Sequence, residues 1–146
     1  MIHTTFIQKV FRVLLGLILI YTGIGHLTFL RADFPAQVPD WVPLDTDLVV
    51  VLSGIAEILL GLALLLIKRK RIQIGWIVAV FFVLIFPGNI AQYVNHRDAF
   101  GLDTDQKRLI RLFFQPVLIS WALWSTGAWK AWRLQQKAQK FKHAHT

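Results

Sequence analysis

Four stretches of this chain carry almost no charge: residues 13–30, 48–67, 72–95 and 112–129. Each comes close to the roughly twenty apolar residues that carry a helix across the hydrocarbon of a bilayer. A chain in lipid has to satisfy its backbone internally, so four such runs predict an all-α, integral membrane four-helix bundle. The expected helices are about 6–30, 47–67, 72–95 and 109–132, in a single transmembrane domain, 1–146, that ends in a basic tail at 133–146. Charged residues make up only 16% of the chain, against about 25% in soluble domains, and the length leaves no room for a second domain. Lys9 and Arg12 ahead of residues 13–21 have the outline of a signal peptide, but the run continues past Gly25 to Leu30 and makes a full span.

The formal charge of +8 raises the question of a nucleic-acid partner, and the distribution answers it. Basic residues gather at the ends of the apolar runs, where they set orientation in a membrane. With both termini cytoplasmic, eleven of the sixteen Lys and Arg fall inside: Lys9, Arg12, the turn Lys68, Arg69, Lys70 and Arg71, and the group from Lys130 to Lys142. No acidic residue falls inside on that topology. The expected arrangement is therefore N-in and C-in, with no nucleic-acid partner. The chain has no cysteine, which removes disulfides and thiolate metal sites. The loop between the first two helices, with Pro35, Pro39 and Pro43, cannot form a regular helix and is expected as a flap across the outer mouth of the bundle.

Within 48–67 the only charge is Glu57. A carboxylate near the centre of a span costs about 2.5–3.5 kcal/mol on insertion scales, so it should face the bundle interior. Counting at about 1.5 Å per residue puts it roughly 15 Å below the outer end of its helix. His26, Asn89, Gln92, Arg111 and Gln115 all fall nearer that end, while the inner halves of the helices are almost wholly apolar. The pattern predicts a polar pocket open to the outside with Glu57 at its floor. Ser53, Gly54 and Gly61 share the Glu57 face, which marks it as the closely packed side. Each polar residue also has a structural reading. Glu57 can be a protonated cross-helix hydrogen-bonding group, His26 a packing partner, Arg111 a snorkelling cation and Asn89 a companion of the Pro87 kink.

Taken together, Gly25-His26, Val42-Pro43, Ser53-Gly-x-x-Glu57-x-x-x-Gly61, Phe86-Pro87-Gly-Asn89 and Leu109-x-Arg111-x-x-x-Gln115 resemble the DoxX-like family of small membrane proteins, over about residues 10–129. The resemblance implies a four-helix protein of the bacterial inner membrane. Its relatives include subunits of a thiosulfate:quinone oxidoreductase, members of oxidative-stress complexes and eukaryotic membrane chaperones. Its shared polar set maps onto His26, Glu57, Asn89, Arg111 and Gln115.

Two functions follow. The first is an accessory subunit of a membrane redox system that binds a quinone or similar lipophilic molecule. In it Glu57 and His26 are catalytic proton carriers, and Asn89, Gln92, Arg111 and Gln115 bind the ligand. Electrons would come from a partner redox subunit, since the sequence carries no haem, flavin or metal motif. The second is a non-catalytic scaffold or chaperone, working with a partner or as a homo-oligomer, whose polar cluster fixes helix packing.

Overall fold

The computed structural model describes residues 2–143. Five α-helices follow one another: α1 (Phe6–Leu27), α2 (Thr46–Leu66), α3 (Arg71–Val94), α4 (Asp105–Ser125) and α5 (Ala128–His143). A short 3-10 helix, Phe34–Gln37, interrupts the loop between α1 and α2, and no strand occurs among the described residues. The helix starts are written in the sequence. Thr5 and Gln8 form a reciprocal capping box on α1. Asp45 caps α2 through the Leu48 amide, and Thr104 caps α4 through that of Lys107.

Three helices, α1, α2 and α3, are long and apolar enough to cross a membrane, with mean hydropathies of 1.8, 2.6 and 2.2 over their most apolar windows. Only if α4 and α5 count as one broken span is there a fourth. Here the structure corrects the expected helix 109–132. The chain bends by 72° between α4 and α5. Gly127 sits at φ +79°, a left-handed conformation that ends helices and suits glycine, and Thr126 turns its hydroxyl back to the Ala122 carbonyl at 2.7 Å. Most of the expected basic tail is thus the helix α5. Ala144, His145 and Thr146 lie outside the described residues. The first helix stops at Leu27 rather than 30, and the fourth begins earlier than expected, at Asp105.

α1 packs along α2 and α3 along α4, with α1 also against α4 and only slight contact between α2 and α3. Two pairs of glycines set the α1–α2 approach: Gly16 opposite Gly61, and Gly23 opposite Gly54. Within each helix the two glycines stand seven residues apart, two turns, so both crossings fall on one face. A methyl group on Gly61 would lie 2.6 Å from the Gly16 carbonyl oxygen, and one on Gly54 2.6 Å from His26 Cβ.

The apolar core fills one half of the bundle, with Leu15, Leu19, Leu64, Ile74, Val78, Phe82 and Ala122. The other half is closed by a smaller cluster of Phe34, Val38 and Val50. That half is the lid end, covered by the Pro-rich loop between α1 and α2 (the lid), and seven aspartates also lie there in sequence; the opposite half is the basic end. Large apolar side chains are exposed on the outer faces of all four bundle helices, among them Leu17, Leu59, Leu84 and Val117. A soluble monomer rarely shows so extensive an apolar surface.

If the glycine crossings set the α1–α2 distance, Gly61→Val will destabilise the fold by about 1–3 kcal/mol through overpacking. The exposed change Leu59→Ala will have a clearly smaller effect. Thermal unfolding of the purified protein in detergent, followed by tryptophan fluorescence, measures both.

Candidate functional site

A cavity of about 600 Å³ lies at the lid end between the four helices. Its walls are mainly apolar, from Leu19, Val50, Phe81, Phe82, Ile85 and Leu118. The polar side chains that reach it from the helices are Thr22 and His26 of α1, Ser53 and Glu57 of α2, and Arg111 and Gln115 of α4. The Pro-rich loop forms its roof, with Phe34, Gln37, Val38 and Trp41 among the lining residues.

Glu57 is only 6% exposed. Its Oε2 accepts a hydrogen bond from the Thr22 hydroxyl at 2.6 Å, and its Oε1 stands 3.5 Å from His26 Nε2. A bond to a charged group is worth about 1.5–3 kcal/mol, close to the insertion cost of the carboxylate, so Thr22 alone offsets much of that cost. The Arg111 guanidinium lines the same cavity, but it forms no ion pair with Glu57 within 4 Å. Thr22 Oγ1 also has the carbonyls of Ile18 and Leu19 within 3.1 and 3.2 Å. It can therefore donate to an ionised Glu57. When the carboxyl is protonated, the hydroxyl can turn to the backbone and accept the carboxyl proton instead. Both protonation states of Glu57 are accommodated without moving a helix.

His26 is held from two sides. Its ring stacks on Phe34 with centroids 3.3 Å apart, and Phe34 meets Phe100 edge-on. Its Nδ1 is buried without a partner among the described residues, which leaves Nε2 as the nitrogen whose proton has an acceptor, Glu57. Arg111 makes no hydrogen bond to any described residue, so its donors are free for a ligand oxygen at the cavity wall.

Asn89 and Gln92, expected as ligand-binding residues, do not line the cavity. The Asn89 amide donates to Gln115 Oε1 at 3.0 Å, and Gln115 in turn donates to the Phe82 carbonyl at 2.6 Å. These bonds tie α3 to α4 in the region where Pro87, lacking an N–H, leaves the Val83 carbonyl without its helical partner. Gln92, 1% exposed, accepts from Gln37 at 2.9 Å and so anchors the lid. The lid is pinned further by Arg97, which donates to the Val38 carbonyl at 2.9 Å and pairs with Asp40 at 2.6 Å. Gly88 lets the loop approach, because a side chain there would collide with the Gln37 carbonyl. Buried Arg108 pairs with Asp98 and Asp105, which orders the loop that follows α3.

The expected site therefore divides. Glu57, His26, Arg111 and Gln115 meet in one cavity, while Asn89 and Gln92 brace its walls and roof. Thr22 and Phe34 enter the site beyond those expected. Thr22 was visible as the residue one turn before His26 on the same face. No local pattern marks Phe34, whose place is set by the folding-back of the loop. Among the described residues, no group of three His, Asp or Glu side chains is placed to hold a metal ion.

Residues 15–126 match the family model described as Domain of unknown function (DUF8561). The chain belongs to this family. The matched region takes in all six expected site residues and ends at the corner between α4 and α5. No curated protein and no solved structure matches the chain.

The Asn89–Gln115 bond generates a double-mutant test. Asn89→Leu and Gln115→Leu will each cost about 1–3 kcal/mol of stability, because each strands a buried partner. The double variant will cost clearly less than their sum. Additive losses in thermal or denaturant unfolding would show that the two amides act separately.

Proposed function

We propose that this is a multi-pass membrane protein whose cavity binds a lipophilic molecule with a carbonyl or hydroxyl group, of the quinone class, as an accessory subunit of a membrane redox system. One observation carries the reading: a 600 Å³ cavity with mainly apolar walls in which Glu57, His26 and the hydrogen-bond-free Arg111 converge. Such a mixture fits an apolar ring and tail with a few polar points. The DoxX-like resemblance supports the same reading and gives the proposed location, a bacterial inner membrane. The concentration of Lys and Arg at the basic end supports a topology with that end, and both termini, in the cytoplasm.

A quinone, when bound, supplies two-electron chemistry in which two carbonyl oxygens each take up a proton, the electrons coming from a partner redox protein. The chain supplies binding and protons. Arg111 donates hydrogen bonds to one oxygen and favours negative charge there. Glu57 holds a proton or gives it up, and Thr22 reorients its hydroxyl to stabilise either state. His26 Nε2 lies beside Glu57 and exchanges a proton with it, while the Phe34 stack keeps the imidazole aligned. The mainly apolar walls lower the local dielectric, which strengthens each of these interactions.

A second reading, a scaffold or chaperone without turnover, has its own support in the Asn89–Gln115 and Gln37–Gln92 bonds, which bind element to element. Titration of the purified protein with a short-chain benzoquinone, followed by quenching of tryptophan fluorescence, separates the two. Saturable quenching is expected, weakened at least about tenfold, or 1.4 kcal/mol, by Arg111→Met and by Glu57→Gln. No saturable quenching in the wild type would dismiss the quinone reading. If Glu57→Gln binds like the wild type while Glu57→Leu unfolds, the carboxylate serves packing only.

A further inference from the structure

A second polar cluster lies at the basic end, away from the cavity. Arg12 is only 6% exposed, and its Nε is buried with no hydrogen-bond partner. Its guanidinium makes no hydrogen bond or ion pair with any described residue, and the charge that acts on it is the like charge of Arg71. Arg71 gives one donor to the Ile2 carbonyl, and its own Nε is buried without a partner. Ser125 Oγ is buried and unpartnered as well.

Register brings the three together. Leu15, Ile74 and Ala122 belong to one core cluster. Arg12 lies three residues before Leu15, Arg71 three before Ile74 and Ser125 three after Ala122. On helices running in those directions, each is one turn beyond the core towards the basic end and on the core-facing side. This register places them in one layer at the basic end of the apolar core. Contacts along the same layer support this: Gln8 bonds the Trp124 carbonyl at 2.7 Å, and Thr126 packs on Gly75.

An arginine side chain held this far from solvent without a counter-ion is unfavourable, and arginines near helix ends ordinarily reach out to water instead. No side-chain carboxylate is available to compensate. Of the eight acids, Asp33, Asp40, Asp45, Asp47, Asp98, Asp103 and Asp105 belong to the lid end, and Glu57 serves the cavity. We propose that Arg12 and Arg71, with the Ser125 hydroxyl, form a binding site for a phosphate-type oxyanion. Two guanidinium forks and one hydroxyl suit a tetrahedral oxyanion, which accepts several donors at once. The half-buried Arg71 forms the entrance and Arg12 the inner wall. The oxyanion can be the headgroup of an anionic phospholipid or free phosphate. Nearby, α5 carries Lys130, Arg133 and Lys137 along a groove with Trp124 and Trp129, a surface that draws anionic headgroups towards this end.

The test uses the purified full chain in an uncharged detergent, with unfolding followed by tryptophan fluorescence. One arm titrates phosphatidylglycerol against phosphatidylcholine, and another inorganic phosphate. The site predicts a saturable rise in Tm with an anion and none with phosphatidylcholine. A response to phosphatidylglycerol alone assigns a lipid headgroup, and a response to inorganic phosphate as well assigns the oxyanion generally. Arg12→Met and Arg71→Met will each weaken the response at least about tenfold. Without anion, Arg12→Met will unfold at or above the wild-type temperature, because the uncompensated charge is gone. Should Arg12→Met not fold, Arg71→Met decides alone. No anion-dependent shift, or variants that respond like the wild type, would overturn the site.

Discussion

The bond from Thr22 to Glu57 joins the first two helices at the one place where the chain buries a carboxylate. Much else in the structure exists to make that bond short. The crossings at Gly23–Gly54 and Gly16–Gly61 bring α1 and α2 together closely enough for a threonine to reach across, and they place His26 beside the second carboxylate oxygen. With larger residues at these positions the helices would stand apart, and Glu57 would lose both partners. Its charge would then be hard to keep in an apolar setting. Packing in α1 and α2 and electrostatics in the cavity are thus one constraint.

The remaining polar residues divide by task. Asn89, Gln115, Gln92, Gln37, Arg97 and Arg108 are satisfied by one another, by backbone carbonyls or by nearby aspartates, and in doing so fix the lid and the α3–α4 contact. Among the described residues, Arg111 has no hydrogen-bond partner at the cavity wall, and Arg12 has none in the basic layer. In an interior where unsatisfied polar groups are costly, satisfied amides read as structure, and unsatisfied cations read as places for something the chain does not itself contain. That contrast separates the parts of the fold that brace from the parts proposed to bind.

Much of this was legible in the sequence for physical reasons. Apolar runs with capping residues locate helices closely because a long apolar segment must satisfy its backbone within itself, and α2 and α3 fall within a residue of their expected bounds. Glu57, His26, Arg111 and Gln115 could be grouped by depth, since rise per residue converts sequence distance into height. Height carries no information about neighbours. Asn89 and Gln92 lie at the right level but turn to Gln115 and to the lid. The break at Gly127 was hidden because the run 112–129 carries no charge, and a single left-handed glycine outweighs that continuity. The Phe34 stack and the burial of Arg12 arise from contacts between distant segments, which no local pattern encodes.

The central claim is that the Glu57 carboxyl faces the cavity and takes part in binding there. Infrared difference spectroscopy, recorded on the protein with and without a bound short-chain quinone, reads that carboxyl directly. The account predicts a ligand-induced change in a carboxyl band that is present in the wild type and absent in Glu57→Gln. The same difference spectrum from both proteins would contradict it.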